Sequence, residues 1–152
     1  MEELNFADPI YAMANPVLQL LEEFWPYPEP RGIVKDGRLL QLLGTEWGRN
    51  SVNQNLWVDI LKKRVNDSDA NLIFIGDCRF ENEANAFPEA LRIRLEADKA
   101  TRKERANSWR EDDTHPSEVG LDYYEGFDVT IDTTIIRQTF YRDWETDRKS
   151  VV

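Results

Sequence analysis

The sequence contains little cysteine and little histidine. Cys78 is its single cysteine, which excludes an internal disulfide framework and predicts a reducing compartment, the cytoplasm. We interpret Cys78 as a small packed side chain rather than a nucleophile, because no histidine pattern accompanies it. His115 is the single histidine, and Ser117 lacks the sharp glycine-flanked turn of serine hydrolases. These absences argue against zinc enzymes and hydrolases.

Long apolar runs and a basic leader are also absent, which argues against a membrane partner and against secretion. Basic residues are scarce: 19 Lys and Arg stand against 29 Asp and Glu, a net charge of −10. Proteins that coat duplex nucleic acid present Lys and Arg to its phosphates, so duplex nucleic acid is not an expected partner. With 152 residues, 41% of them hydrophobic, the chain can form one soluble domain with a real core.

Strand-like and helical patterns alternate along the chain. Strands are predicted over residues 4–7, 72–75, 91–95 and 127–131. Helices are predicted over residues 8–24 with a break or kink at Pro16, over 38–49 with an end or interruption at Gly44, over 56–65 after a capping box of Ser51 and Gln54, and over 98–107 and 133–141. Helices between strands, with 72–75 apolar throughout, predict an α/β fold with a parallel sheet in which 72–75 is covered on both faces.

Two stretches fall outside this pattern. Residues 25–37 hold three prolines and two glycines and are predicted to form a loop. The last residues, from 143 to 152, show neither periodicity nor capping residues, and we interpret them as a non-native or disordered tail. The expected domain therefore spans residues 1–142.

Asp77 and Arg79 directly follow the apolar strand over residues 72–75. In open α/β sheets, ligands bind beyond the carboxyl ends of the strands. An arginine can hold a phosphate through two parallel hydrogen bonds, and an aspartate can orient that arginine or a Mg²⁺ shell. A structural ion pair at the end of the strand is the alternative, and the sequence leaves both open.

A second group of candidate residues repeats at intervals of three and four. A continuous α-helix would place its members on one face: Arg38, Gln41, Thr45 and Arg49. Two guanidinium groups, an amide and a hydroxyl suit a phosphorylated polar ligand. A solvated helix face is the alternative interpretation.

A third group is a local reversal of charge in this acidic chain. It comprises Arg94, Arg102, Arg105 and Arg110, followed by the stretch 113–118 that contains His115 and Ser117. Such a basic segment suits a mobile lid that closes over anionic phosphates. Ion pairing with neighbouring acidic residues is the alternative.

Four stretches in this order resemble the bacteriophage and bacterial deoxynucleoside monophosphate kinases. They are FADP at 6–9, LQLLGTE at 40–46 with Arg49, DCRFENEA at 77–84 and DTHPSE at 113–118. The resemblance covers roughly residues 4–140. It implies a parallel-sheet fold of the P-loop kinase type, in the cytoplasm of a bacterium or of a phage-infected host. It also implies transfer of the ATP γ-phosphoryl group, with Mg²⁺, to a deoxynucleoside monophosphate.

The resemblance also implies residue roles. It assigns catalysis to Asp77, Arg79 and Arg105, substrate binding to Phe6, Asp8, Arg38, Gln41, Thr45, Arg49 and Glu83, and the lid to Arg102, Arg110, His115 and Ser117. It assigns no residue to a metal.

The chain departs from that family in one respect. Members begin with a strand, a glycine-rich phosphate loop carrying Lys and Ser or Thr, and a helix, and this sequence has none of these at its start. The stretch from Gly32 to Leu39 has the glycine spacing of such a loop but carries Arg38 and Leu39 in place of the lysine and the hydroxyl residue. We therefore expect an N-terminally incomplete kinase fold with little activity by itself.

Two alternatives to this expectation stay open. One is a non-catalytic nucleotide-binding or oligomerisation module, and the other is a relative of dephospho-coenzyme A kinase.

The absent strand would leave strand 72–75 with an unpaired edge, so a homodimer is a possible partner arrangement.

Overall fold

The structure is a computed structural model, which describes residues 1–24, 37–106 and 114–134. Four predictions lie wholly or mostly outside these residues: the loop over 25–37, of which only Gly37 is described, Arg110, the helix over 133–141 and the tail. The chain forms two compact units, one of Met1–Glu89 with Asp113–Tyr124 and one of Ala90–Asp112 with Glu125–Val152. Both are mixed α/β. No helix among the described residues is long and apolar enough to cross a membrane.

The first unit contains a small parallel sheet. Strand β1 (Glu2–Glu3) pairs with β2 (Ile73–Phe74), and the Leu4 amide extends the ladder by donating to the Phe74 carbonyl at 3.0 Å. The pairing confirms that the sheet is parallel, but β1 lies earlier in the chain than the predicted strand over 4–7.

The predicted burial of β2 on both faces is wrong for the described residues. Ile73 and Ile75 pack against the core, whereas Leu72 and Phe74 are more than half exposed. Alternating exposure of this kind is that of a strand with one covered face.

Helices α1 (Asp8–Phe24) and α3 (Leu56–Asp67) cover this sheet's core, which consists of Leu4, Phe6, Trp57, Val58, Leu61 and Ala86. The apolar periodicity of α3 is confirmed, and Leu61 on its inner face is fully buried. Helix α1 continues through Pro16 without the predicted break. Pro16 and Ala12 are both exposed, so water can satisfy the carbonyl that loses its donor.

Between them, helix α2 (Gly37–Gln41) runs into a π-helix over Leu42–Val52. The expectation that Gly44 ends or interrupts the helix is therefore wrong. The predicted capping box is also wrong, because Ser51 belongs to the π-helix and donates its hydroxyl to the Glu46 carbonyl at 2.8 Å. Helix α3 begins after Asn55 with no side-chain cap. π-Helices are rare, and most of them are single-turn bulges, which often occur at functional sites.

A packed tryptophan accompanies the π-helix. The indole of Trp57 is buried, and its Nε1–H donates to the Gly44 carbonyl at 2.8 Å. The ring lies so close to Gly48 that a Cβ at that position would be 2.2 Å from Cζ2 of the indole. Gly48 thus leaves room for the Trp57 ring of helix α3, and the Gly44 carbonyl accepts the hydrogen bond from that ring.

The remaining elements of the first unit are short: α4 (Glu81–Ala84) and α6 (Pro116–Val119). In the second unit, β3 (Ile93–Glu96) and β4 (Val129–Asp132) pair in parallel, with Ile93 opposite Val129. Helix α5 (Lys99–Arg105) follows β3, and the Asp98 side chain caps it by accepting from the Thr101 amide at 2.6 Å. Helix α5 confirms the helix predicted in this region.

Candidate functional site

A cleft of about 420 Å³ lies in the first unit. Its walls are Thr45, Arg49 and Asn50 of the π-helix, Gln54 before α3, Phe80 before α4, and Pro116 at the start of α6. Its volume is within the range of small-molecule sites in proteins. Thr45 and Arg49 belong to the group predicted from helical spacing.

Arg49 is held rigidly at the wall of the cleft. Its guanidinium carbon lies 3.8 Å from the centroid of the Phe80 ring, a cation–π arrangement. Nη1 donates to Glu83 at 3.2 Å, and Nη2 donates to Asn82 at 2.6 Å. Asn82 is itself fixed, because its amide nitrogen donates to the Asn55 side chain at 2.8 Å. The guanidinium plane is therefore fixed in position by three other side chains.

Glu83 is the buried carboxylate that pairs with Arg49. Its Oε2 accepts hydrogen bonds from the backbone amides of Arg79 at 2.9 Å and Phe80 at 3.2 Å. Burial raises the pKa of Glu83 to about 7, against the opposing effect of the Arg79 amide and of the Arg49 charge. Burial likewise lowers the pKa of Arg49. For both groups, burial thus disfavours the charged form more than the attraction between the partners favours it.

Thr45 brings a buried hydroxyl group to the cleft. The residue is 6% exposed, and its side chain makes no hydrogen bond to the described part of the chain. A buried hydroxyl without a partner costs free energy, and native structures seldom retain one without a reason. A bound ligand with a hydrogen-bonding atom would satisfy it.

Asp77 lies at the end of β2, where it anchors the start of the chain. Its two carboxylate oxygens accept from the backbone amides of Phe6 at 2.9 Å and Ala7 at 2.8 Å. Burial raises the pKa of Asp77, while these two amides oppose the rise. The contacts show a structural role for Asp77, and its predicted catalytic role stays a prediction.

We expect Asp77→Asn to lower the free energy of unfolding by about 1–2 kcal/mol. The amide of asparagine offers one acceptor oxygen, so one of the two backbone N–H groups loses its partner. Urea unfolding followed by circular dichroism measures the change. Asp69→Asn, at a position that makes no hydrogen bond in the described chain, is the matched control. Equal stability of the two variants would contradict this account of Asp77.

Phe6 and Asp8 lie in and next to the short segment that Asp77 anchors. The Phe6 side chain lies in the core, so its predicted part in substrate binding rests on the resemblance alone. Asp8 forms a 2.6 Å ion pair with Arg64 and accepts from the Asn5 amide at 3.1 Å. Although burial alone would raise it, these contacts hold the pKa of Asp8 below its ordinary value.

The segment that carries Pro116 is attached on both sides. His115 Nε2 lies 3.3 Å from Glu46 Oε1, and His115 Nδ1 lies 2.8 Å from Ser117 Oγ. On the other side, Nη1 of Arg79 contacts Glu118 Oε1 at 2.5 Å and the Ser117 carbonyl at 3.2 Å. His115, Ser117 and Arg79 therefore hold one wall of the cleft in position, and their predicted roles toward phosphate stay predictions.

The other predicted residues are placed differently. Arg38 is exposed on α2, and neither it nor Gln41 is among the residues that line the cleft. Arg102 and Arg105 belong to the second unit, where Arg105 donates to the Thr133 carbonyl at 2.8 Å. Their lid role stays a prediction.

Four residues of the site were not singled out from the sequence: Asn50, Gln54, Phe80 and Asn82. Phe80 and Asn82 lie inside the stretch that carries the family resemblance, which was the available signal. Asn50 and Gln54 are exposed polar residues, and the sequence signal at Gln54 is that of a helix cap rather than of a binding site.

Metal ligands are not grouped in the described residues: no three His, Cys, Asp or Glu side chains there lie close enough to hold an ion.

Comparison with known proteins gives one informative similarity. No protein-family model matches the sequence. Over 84 residues the chain is 30% identical to the deoxynucleoside-5′-monophosphate kinase of Escherichia phage T5, an alignment that covers 55% of this chain and 34% of that kinase. The chain thus spans about a third of the length of this curated relative. The similarity supports a relationship to a kinase, and the mixed α/β fold with short parallel sheets is compatible with it.

Proposed function

We propose that this chain binds a deoxynucleoside 5′-monophosphate in the cleft, as the acceptor of a kinase that transfers the γ-phosphoryl group of ATP to give the diphosphate. The observation that carries the proposal is the fixed Arg49 on Phe80 beside a Thr45 hydroxyl that has no partner in the described chain. An aromatic ring, a guanidinium plane and an available hydroxyl suit a nucleotide, which presents a flat base and many acceptor atoms. The similarity to the phage kinase supports the choice of substrate class.

The chemistry asks little of the protein beyond alignment and positive charge. The acceptor phosphate is already an anion, so no strong general base is needed, and phosphoryl transfer is accelerated by positioning and by cations around the transferring group. In this proposal Arg79 and Asp77 lie toward the phosphate. ATP and Mg²⁺ enter the proposal through the similarity to the kinase, and Mg²⁺ would supply positive charge to the phosphate oxygens of ATP.

Thr45 provides the sharpest test, because its hydroxyl has no structural partner among the described residues. Thr45→Val keeps the shape and removes the hydroxyl, so we expect unchanged or slightly increased stability together with roughly fivefold to tenfold weaker binding of a deoxynucleoside monophosphate. Thr45→Ser retains the hydroxyl and should bind within about twofold of the wild type. Isothermal titration calorimetry and urea unfolding measure the two quantities.

The contradicting results are equally specific. Wild-type protein that binds none of the four monophosphates would remove the proposed function. Binding that is the same in Thr45→Val and Thr45→Ser would place the ligand elsewhere. Titration with a non-hydrolysable ATP analogue then separates a kinase from a module that binds the acceptor nucleotide alone.

A further inference from the structure

The charges around the cleft do not favour a phosphate group inside it. Arg49 is the single charged residue among the described residues that line it, and Glu83 lies 3.2 Å behind the guanidinium. Above the pKa of Glu83 the two charges cancel. A phosphate dianion moved from water into a partly enclosed site needs an excess of positive charge, and this wall does not provide one.

The same walls match a nucleobase well. One face of the Phe80 ring is stacked on the Arg49 plane, which leaves the other face of the ring as the surface on which a flat heterocycle can stack. Asn50 and Gln54 add two carboxamides, and neither side chain makes a hydrogen bond to the described residues. A carboxamide offers a donor and an acceptor side by side, which is the arrangement that pairs with the edge of a base.

We infer that the cleft is the nucleobase subsite of the proposed nucleotide site, with Asn50 and Gln54 as the residues that distinguish one base from another and the phosphate bound outside it. This inference rests on the proposed function. It divides recognition between two places: stacking and base-edge hydrogen bonds inside the cleft, and electrostatic attraction beyond it. The affinity gained from the base and the affinity gained from the phosphate should then vary independently.

The experiment compares each deoxynucleoside with its monophosphate, at pH 8, where Glu83 is ionised. Calorimetric titrations are made on the wild type, on Asn50→Ala and on Gln54→Ala, with Gln19→Ala as a control at a glutamine of α1 outside the cleft. We expect each cleft variant to lose on the order of tenfold in affinity for some bases and little for others. The nucleoside and its monophosphate should lose the same factor, and Gln19→Ala should lose nothing.

Three results would overturn the inference. Equal losses for all four bases would show that the carboxamides do not distinguish them. A loss confined to the monophosphates, or a loss of deoxyribose 5-phosphate binding in either variant, would place the phosphate in the cleft. Absence of any nucleotide binding by the wild type is a separate result, because it removes the proposed function as well.

Discussion

Gly48→Ala is expected to lower the free energy of unfolding by about 3 kcal/mol, the upper end of the cost of overpacking a core. The new Cβ would lie 2.2 Å from Cζ2 and 2.7 Å from Cε2 of Trp57, and 2.9 Å from the Leu43 carbonyl oxygen. Trp57 cannot simply move aside, because it is buried in the core and its Nε1–H is bonded to the Gly44 carbonyl. The substitution must therefore displace the indole, the π-helix or both.

Gly44→Ala is the matched control. It lies in the same helix, but its Cβ would meet the Cδ1 methyl of Ile10 at 3.0 Å, the far end of a flexible side chain. Alanine also gains up to about 1 kcal/mol over glycine in a helix, so we expect a net change below about 1 kcal/mol. Urea unfolding monitored by tryptophan fluorescence and by circular dichroism compares the two variants. If both variants are destabilised equally, the close approach of Trp57 to Gly48 is not the reason why this position requires glycine.

The π-helix marks the limit of what the sequence could predict about the fold. Helix α3 was predictable because its apolar residues repeat at helical spacing, and α5 because a charged helical stretch follows strand β3. Gly44 resembles a helix end when considered locally. Whether a glycine ends a helix or continues it depends on the side chains that pack against it, Ile10 at Gly44 and Trp57 at Gly48. Those contacts come from other helices and have no local signal in the sequence.

The same limit applies to the candidate site. The spacing of the second group predicted that Thr45 and Arg49 share one face of an α-helix; both line the cleft, but they lie in the π-helix. Arg38 lies in α2, before the change of helix type, and is not on the cleft. A π-helix bonds i to i+5, so the face that continues from an α-helix into it is rotated. The partner of Arg49 came from Glu83, 34 residues away, which spacing along one helix cannot indicate.

Stability should also depend on pH through Glu83. Its pKa is about 7 in the folded protein and 4.5 for an ordinary glutamate. The folded state thus keeps a proton that the unfolded chain loses, so the stabilisation is fully present below pH 4.5, declines as the pH rises toward 7 and is lost above 7. A difference of this size corresponds to about 3 kcal/mol. Asp77, whose pKa is also raised by burial, contributes in the same direction.

Glu83→Gln isolates the contribution of this one carboxyl group. Glutamine has the shape of the protonated acid and no charge to lose, so the decline in unfolding free energy between pH 4.5 and 7 should become smaller than in the wild type by about 3 kcal/mol. Glu81→Gln, an exposed position on the same helix α4, should leave the decline unchanged. Urea unfolding at half-unit steps of pH gives both slopes. If Glu83→Gln retains the wild-type slope, then Glu83 is ionised throughout this range, and the charge of Arg49 outweighs the cost of burial.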